Sequence, residues 1–535
     1  MAKIFLYDTT LRDGAQREGI SFSVIDKLMI ARKLDELGIQ FIEGGWPGSN
    51  PKDIEFFSRM KSIALTNAIL VAFGSTRRSD AETESDPNLL ALVDSGVKAA
   101  AVVGKSSAEQ VTRVLETSFE ENLRMIADSV RFLKMRGLTV FYDAEHFFDG
   151  YKADGAYALK TLEAASESGA DYLVLCDTNG GSLPDEIESI VTVVKSKTNV
   201  PLAIHAHNDA ELAVANTLAA VKGGVSQVQG TINGYGERCG NANLCSVIPA
   251  LKLKMGLDIV TDEQLAHLTE VSRYVSEMAN LAPDTCLPYV GLSAFGHKGG
   301  LHASGITKWD GSYQHIDPAF VGNEQRILIS ELSGKANIVR RVKEMGFELP
   351  ARGKEVQKLV DQVKLLESRG FQYDHAEASF ELLVYRTLPD YKPPFELVDF
   401  MLMVEKRRRQ STGNNNDEMM AEATVKVKVG DEILHTVAEG NGPVNALDRA
   451  LRRALLQFYP SIAQVRLTDY KVRILEESTG TASQVRVLIE SSDGNNTWHT
   501  VGSSTNIIEA SWLALADSLE YWLVKQREEK EKVSF

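Results

Sequence analysis

The chain has 535 residues, of which 44% are hydrophobic, and its formal net charge is −15 at pH 7. This length is enough for two or three buried cores. The acidic balance argues against nucleic acid or anionic membranes as partners. We find no apolar run of about 18 residues, no secretory signal, and no disulfide framework among the four cysteines. We therefore expect a cytoplasmic protein with reduced thiols.

The N-terminal half alternates short β-rich runs with longer amphipathic helical patterns. Strand followed by helix, eight times over, predicts parallel strands with crossover helices. Eight such units fit a closed (β/α)8 TIM barrel of roughly 250 residues, and an open doubly wound sheet is the alternative. We assign this catalytic α/β barrel to residues 1–260. The predicted strands are 4–8, 40–45, 69–74, 98–104, 138–144, 171–177, 201–207 and 226–232.

After the barrel the β signal fades, and residues 261–394 are predicted to form helical linker subdomains. The polar stretch 405–420 predicts a mobile loop. Alternating strands then return, and segments 439–455 and 501–519 each run from a glycine-containing turn into a helix. We therefore expect an α+β C-terminal regulatory domain over 395–535 with internal pseudo-symmetry. The predicted linker helices are 261–281, 335–347, 354–370 and 374–388.

Polar residues stand at the C-terminal ends of the predicted strands, where barrels of this kind keep their catalytic groups. We therefore predict an active site at that mouth of the barrel. The residues at these ends are Asp8, Arg12, Asp13, Glu43, Ser75, Thr76, Lys105, Asp143, Glu145, Asp177, Thr178, His205, His207, Asn233, Glu237 and Arg238.

The motif "IHAHND" is the sharpest local signal in the chain. His205 and His207 are two residues apart in a strand, so their side chains project to the same side. Two imidazoles on one face make half of a metal site, and Asp13 is the best-placed carboxylate to complete it. Arg12 can hold and polarise an oxo or carboxylate group. The alternative is a pair of structural histidines.

Together these motifs resemble the DRE-TIM metallolyase superfamily, and within it the 2-isopropylmalate, homocitrate and citramalate synthase family. The first family signature, Leu-Arg-Asp-Gly-x-Gln followed by a downstream Lys, is complete at residues 11–16 and Lys27. The second, built on His-x-His-Asn-Asp, occupies residues 205–209, with Glu211 where the family usually has glycine. The resemblance spans nearly the whole chain, including the linker subdomains and the regulatory domain.

This resemblance implies a divalent metal ion, zinc, manganese or magnesium, on Asp13, His205 and His207. Asn241 of "GERCGNAN" is implied as a further ligand. Arg12 corresponds to the arginine that polarises the oxo group of the substrate. The glycines around Asn241 could equally form a plain turn.

The resemblance also implies the residues that handle the substrates. Glu145 corresponds to the carboxylate that activates acetyl-CoA, with a structural hydrogen-bond role as the alternative. His302 and Tyr313 correspond to linker residues that reach a neighbouring subunit's active site, which implies a homodimer. The implied substrate-binding residues are Arg12, Gln16, Glu43 and Thr178.

The stretch "FIEGGWPGSNPKD" resembles the citramalate synthase branch, whose members condense acetyl-CoA with pyruvate in the isoleucine biosynthetic route. Trp46 could reduce room for a branched substrate, or it could simply pack against a helix. A 2-isopropylmalate synthase, taking 2-oxoisovalerate for leucine biosynthesis, is the first alternative. A second alternative is an acyl-CoA lyase, but such a lyase would lack a domain at 395–535. A non-catalytic amino-acid sensor is a third, but it would not explain why the predicted catalytic residues at the barrel mouth are all present.

For the C-terminal domain we expect feedback inhibition by a branched-chain amino acid, with isoleucine as the effector. The helices that follow Gly440 and Gly502 offer N-termini that could receive a carboxylate. A role in dimerisation alone is the alternative.

Overall fold

The computed structural model describes residues 3–79, 81–297, 300–327, 342–343, 354–373, 376–407, 418–475 and 482–533. By its internal contacts the chain divides into two compact units. The first comprises Met1–Phe295 with His315–Gln325, and the second comprises Gly296–Gln314 with Arg326–Phe535. The domain boundaries after residues 260 and 394 stay predictions. Among the described helices, none combines the length and apolarity that a bilayer span requires.

Eight parallel strands close into a barrel in chain order. The ring closes where Phe5–Asp8 pairs with Gln227–Gly230, which confirms the TIM barrel and excludes the open sheet. The last strand ends two residues earlier than predicted. The strands are β1 (Phe5–Asp8), β2 (Phe41–Gly45), β3 (Ile69–Ser75), β4 (Ala99–Lys105), β5 (Thr139–Glu145), β6 (Tyr172–Asp177), β7 (Leu202–Ala206) and β8 (Gln227–Gly230).

The helices around the barrel begin at ordinary capping residues. Ser23 accepts a hydrogen bond from the Asp26 amide in a capping box, and Asp86 accepts from the amides of Asn88 and Leu89. Helices at 262–265 and 268–278, predicted as linker, pack into the same core, the first through Leu265 and the second through Val271 and Val275. The helices of this unit are Val24–Glu36, Pro51–Met60, Pro87–Asp94, Ala108–Arg113, Phe119–Met135, Phe147–Glu167, Pro184–Lys195, Ala213–Gly223, Leu244–Pro249, Asp262–Leu265 and Leu268–Met278.

Aromatic rings fill the barrel interior at its N-terminal end. Tyr7, Phe41, Phe141 and Tyr172 pack with ring centroids between 4.7 and 6.1 Å apart. Because alternate residues of a strand share a face, the next inward residues stand nearer the C-terminal mouth. The aromatic layer thus closes the barrel interior beneath the polar residues of the C-terminal mouth, and we call it the floor of the barrel.

The second unit contains the repeated architecture that the sequence predicts. Two three-stranded antiparallel sheets, each with its strands adjacent in chain order, are each followed by a helix. The elements are β9 (Gly296–His297), Gly300–Lys308, β10 (Arg326–Ile327), Lys354–Ser368, Glu377–Thr387, β11 (Glu396–Arg407), β12 (Glu418–Val429), β13 (Glu432–Gly440), Pro443–Leu455, β14 (Arg466–Ile474), β15 (Val485–Ser492), β16 (Thr497–Ser504) and Ile507–Val533.

Two predictions in this unit need separate comment. Both ends of the predicted loop 405–420 belong to strands, because β11 and β12 extend as a long hairpin, and residues 408–417 lie outside the described residues. The predicted helix 335–347 also lies outside them, apart from residues 342–343, which are helical.

Gly440 and Gly502 occupy equivalent places in the two repeats, where a helix lies close against a strand. A Cβ on Gly440 would approach the Ala446 nitrogen to 2.6 Å, and one on Gly502 would approach the Ala510 oxygen to 2.0 Å. The sequence repeat therefore has a packing cause: each helix needs a residue without a side chain beneath it.

Candidate active site

A cavity of about 660 Å³ opens at the C-terminal mouth of the barrel. It brings together most of the predicted site residues. Glu43 and Asn241 contact this set from just behind the cavity wall. The predicted residues that line the cavity are Arg12, Asp13, Gln16, Glu145, Thr178, His205 and His207.

Asp13, His205 and His207 form a compact buried group. Asp13 Oδ2 lies 3.6 Å from His205 Nε2 and 4.0 Å from His207 Nε2. The two Nε2 atoms are 3.3 Å apart. One donor atom from each residue lies within 4.8 Å of the others, a spacing that could hold a metal ion.

Gln229 fixes the orientation of the His205 ring. Its side-chain oxygen lies 3.0 Å from His205 Nδ1, and since an amide oxygen accepts, the ring proton is on Nδ1. Burial and the neighbouring His207 lower the pKa of His205 to about 3. Burial also lowers the pKa of His207. Both imidazoles are therefore neutral at pH 7, the form that binds metals.

Asn241 completes the group from the glycine-rich loop. Its Nδ2 donates to Asp13 Oδ1 at 2.8 Å, while its Oδ1 is buried with no partner among the described residues. Gly236, at φ 156°, allows this approach, since a Cβ there would lie 2.1 Å from Asn241 Nδ2. Two neutral imidazoles, a carboxylate and an unpartnered amide oxygen fit a divalent metal ion.

Arg12 is held on three sides. Its Nη1 donates to Asp13 Oδ2 at 2.8 Å, its Nε pairs with Glu43, and its guanidinium carbon lies 4.0 Å from the Phe73 ring centroid. Tyr7 donates to the other Glu43 oxygen at 2.5 Å. Burial alone would raise the pKa of Asp13, but Arg12 and the two histidines hold it well below its usual range. Asp13 is therefore a carboxylate.

The opposite wall carries Glu145 and Thr178. Glu145 forms an ion pair with Lys105 across β4 and β5. The Thr178 hydroxyl accepts a hydrogen bond from the His146 amide at 2.8 Å, which leaves its own proton to donate elsewhere. His146 has a positive φ of 57°, a conformation that clusters at functional sites.

The signature lysine supports the site without lining it. Lys27 Nζ donates to the Gly44 carbonyl at 3.0 Å and pairs with buried Asp53. Asp53 also accepts from the Trp46 amide at 2.9 Å. These contacts fix the end of β2, so the lysine of the motif positions backbone.

Trp46 contacts a strand residue and a helix residue at the cavity wall, and its exclusion of a branched substrate stays a prediction. Its ring packs edge-on against Phe73 at 5.2 Å, and its indole donates to Asn88 Oδ1 at 2.7 Å. The same side chain lines the cavity. Trp46 and Phe73 thus form part of the cavity wall beside Arg12.

Sequence reasoning missed Gln229 as a partner of the site. The signal was available in β8, because Gln227 and Gln229 are two residues apart in a buried strand and so face the interior together. Glu211 stands where the family usually has glycine. Its φ is 61°, which is the left-handed conformation that glycine adopts without strain.

His302 and Tyr313 lie in the second unit, so the barrel unit does not contain them. Their rings stack with centroids 4.0 Å apart. Tyr313 is 47% exposed. Their predicted place in a neighbouring subunit's active site stays a prediction.

Three protein families match successive parts of the chain. Residues 3–275 match HMGL-like, residues 289–370 match the homocitrate synthase post-HMGL domain-like family, and residues 374–523 match the LeuA allosteric (dimerisation) domain. The last match speaks against a lyase that consists of the barrel without this domain.

Several relatives match this chain over almost its whole length. The (R)-citramalate synthase of Geobacter sulfurreducens is 52% identical over 528 residues, which cover 99% of each chain. That of Aquifex aeolicus is 50% identical, covering 98% of this chain and 99% of the relative. The 2-isopropylmalate synthase of Methanocaldococcus jannaschii is more distant, at 30% identity over 98% of this chain and 95% of that one.

Proposed function

The chain belongs to the (R)-citramalate synthase family, and we propose that its barrel mouth condenses acetyl-CoA with pyruvate to citramalate and CoA. It is an enzyme, a transferase. The observation that carries the assignment to this site is the buried Asp13, His205 and His207 group beside Arg12 in the cavity. The greater distance of the 2-isopropylmalate synthases favours pyruvate over 2-oxoisovalerate as the acceptor.

Asp13, His205 and His207 would hold a divalent ion, zinc, manganese or magnesium, with the unpartnered Asn241 Oδ1 as a further ligand. Such an ion would supply Lewis-acid polarisation of the ketone of the 2-oxo acid.

Arg12 holds pyruvate and polarises its ketone oxygen by hydrogen bonding. Glu43 and Phe73 keep the guanidinium in place, so little reorganisation is needed when charge develops on that oxygen. The free proton of the Thr178 hydroxyl binds the pyruvate carboxylate. Gln16 also lines the cavity and would contact the substrate there.

Glu145 takes a proton from the methyl group of acetyl-CoA, directly or through water. The resulting carbanion adds to the ketone carbon of pyruvate as the C=O π bond breaks, and the alkoxide oxygen takes up a proton from solvent, which balances the proton that Glu145 removed. Water then hydrolyses the thioester and releases CoA. Lys105 keeps Glu145 at the cavity wall.

The second unit completes and regulates the enzyme. His302 and Tyr313 act in the site of the other subunit of a homodimer, a proposal supported by the match to a dimerisation domain. The same domain binds isoleucine, the end product of the route, as a feedback inhibitor. Close packing between helix and strand accounts for Gly440 and Gly502, so these glycines need no role in effector binding. The effector carboxylate would instead bind at the N-termini of the helices that follow them. The enzyme would act in the cytoplasm, in keeping with its four free cysteines.

Thiol release from acetyl-CoA tests the function. We expect purified enzyme in metal-supplemented buffer to release CoA with pyruvate far faster than with 2-oxoisovalerate, 2-oxobutyrate or 2-oxoglutarate, each offered separately. A preference for 2-oxoisovalerate would reassign the pathway and the effector to leucine. No release with any acceptor would contradict the synthase proposal. Isoleucine added to the active mixture tests the effector.

A further inference from the structure

Asp143 is a buried carboxyl group for which the mechanism above has no role. It lies on β5 between Phe141 and Glu145, and alternation along the strand turns all three side chains towards the barrel interior. Its exposed fraction is 4%, and it lines the cavity. Its Oδ1 is buried and has no hydrogen-bond partner among the described residues.

Arg12, the cation that acts on Asp143 most strongly, and Lys105 on the neighbouring strand are already engaged by other carboxylates. Arg12 is paired with Asp13 and Glu43, and Lys105 is paired with Glu145. Burial, and next the charge of Glu43, raise the pKa of Asp143 well above its usual range, although Arg12 opposes this. The ionisable groups that face Asp143 from the surrounding strands and loops are Tyr7, Arg12, Asp13, Glu43, Lys105, Glu145, Cys176, His205 and His207.

The balance of charges in the site, with the substrates included, also favours a protonated, neutral Asp143 over an ionised one. Arg77 and Arg238 also line the cavity but are paired with acidic residues outside this count, and Arg78 and Glu237 add one cation and one anion. The remaining positive charges are those of Arg12, Lys105 and, when bound, a divalent ion. The carboxylates of Asp13, Glu43 and Glu145, together with that of pyruvate, neutralise them. An ionised Asp143 would add a surplus negative charge at a buried position, which is costly.

We propose that Asp143 is a neutral carboxylic acid that donates a hydrogen bond to bound pyruvate. This inference rests on the proposed function and names a further catalytic residue for it. Asp143 stands deeper than Glu145 on the same strand, so it reaches the small acceptor at the floor, while the larger thioester enters from the mouth. The hydrogen bond from a buried donor of this kind becomes stronger as negative charge develops on the substrate oxygen.

Infrared difference spectroscopy on the metal-loaded full-length enzyme tests the protonation state directly. At pH 7 we expect a carbonyl-stretching band of a protonated carboxylic acid that shifts when pyruvate is added without acetyl-CoA. Labelling aspartate with ¹³C at the side-chain carboxyl should move the band, and Asp143→Asn should remove it. Asp177→Asn is the matched control, because Asp177 ends β6 but bonds to Ser182 instead of lining the cavity. This control should leave the pyruvate-induced shift intact.

Kinetics separate a donor from a base. Asp143→Asn keeps a neutral N–H donor and should retain kcat/KM for pyruvate within about tenfold, whereas Asp143→Ala should lose about 10²–10³-fold in kcat. A spectrum with no pyruvate-responsive acid band, or an alanine variant with the kcat of the wild type, would overturn the inference. Thiol release by the wild type in the same buffer reports the proposed function separately.

Discussion

Gln229 decides which nitrogen of His205 faces Asp13. Its side-chain oxygen lies 3.0 Å from His205 Nδ1 and accepts the proton of that nitrogen, so His205 Nε2 presents its lone pair to the proposed metal site. We predict that Gln229→Leu weakens divalent-metal affinity about 10–100-fold, measured by competition with a chromophoric chelator. Gln229→Glu restores the acceptor and should recover most of the affinity. Equal affinity in the leucine variant and the wild type would show that the ring needs no such partner.

Asp8 gives the barrel a pH-dependent stability. Its carboxyl accepts hydrogen bonds from Thr10, yet burial raises its pKa to about 7. Between the unfolded pKa of about 3.9 and the folded value, the folded chain keeps a proton that the unfolded chain releases, so stability falls as pH rises. Asp8→Asn should remove this loss, up to about 4 kcal/mol at pH 7.

The corresponding measurement is the melting temperature of the barrel between about pH 4 and pH 7, the window set by the two pKa values. The Asp8→Asn protein should lose less melting temperature than the wild type as pH rises, and should melt higher at pH 7. Parallel curves for the two proteins would place the pH dependence in other groups.

At the scale of elements, the C-terminal repeats depend on close contact between helix and strand. A methyl group on Gly440 would lie 2.6 Å from the Ala446 nitrogen, whereas nothing lies within 4 Å of the same position on Gly442. Gly440→Ala should therefore destabilise the second unit by about 1–3 kcal/mol, and by more than Gly442→Ala, which only exchanges the N-cap residue of the helix.

Differential scanning calorimetry of the two glycine variants measures this difference. The transition of the second unit should move in Gly440→Ala, while the KM for pyruvate stays that of the wild type, because Gly440 lies outside the barrel unit. If both variants melt alike, the helix can shift on its sheet at little cost.

At the scale of the whole molecule, the proposed dimer predicts complementation between subunits. Asp13→Ala disables the barrel and His302→Ala disables the linker, so each homodimer should be inactive. In a mixed dimer with sites shared between subunits, one site receives both intact residues. Random pairing should then restore about a quarter of wild-type activity, measured as thiol release after co-expression. Sites formed within one chain would leave the mixture inactive.

The sequence by itself determined the barrel, the residues at its mouth and the repeated C-terminal architecture. The physical reason is that strand and helix periodicities are local, and that a closed barrel collects the ends of its parallel strands at one face. His205, His207 and Asp13 were therefore predictable before their contacts were known.

Tertiary structure decided what depends on distance between remote positions. It joined Gln229 to His205, gave Lys27 a backbone-supporting role, and left Asp143 buried beside cations already paired. It also continued β11 and β12 into the predicted loop. Hydrogen bonds, desolvation and charge balance arise only when residues far apart in sequence are packed together, so no local pattern records them.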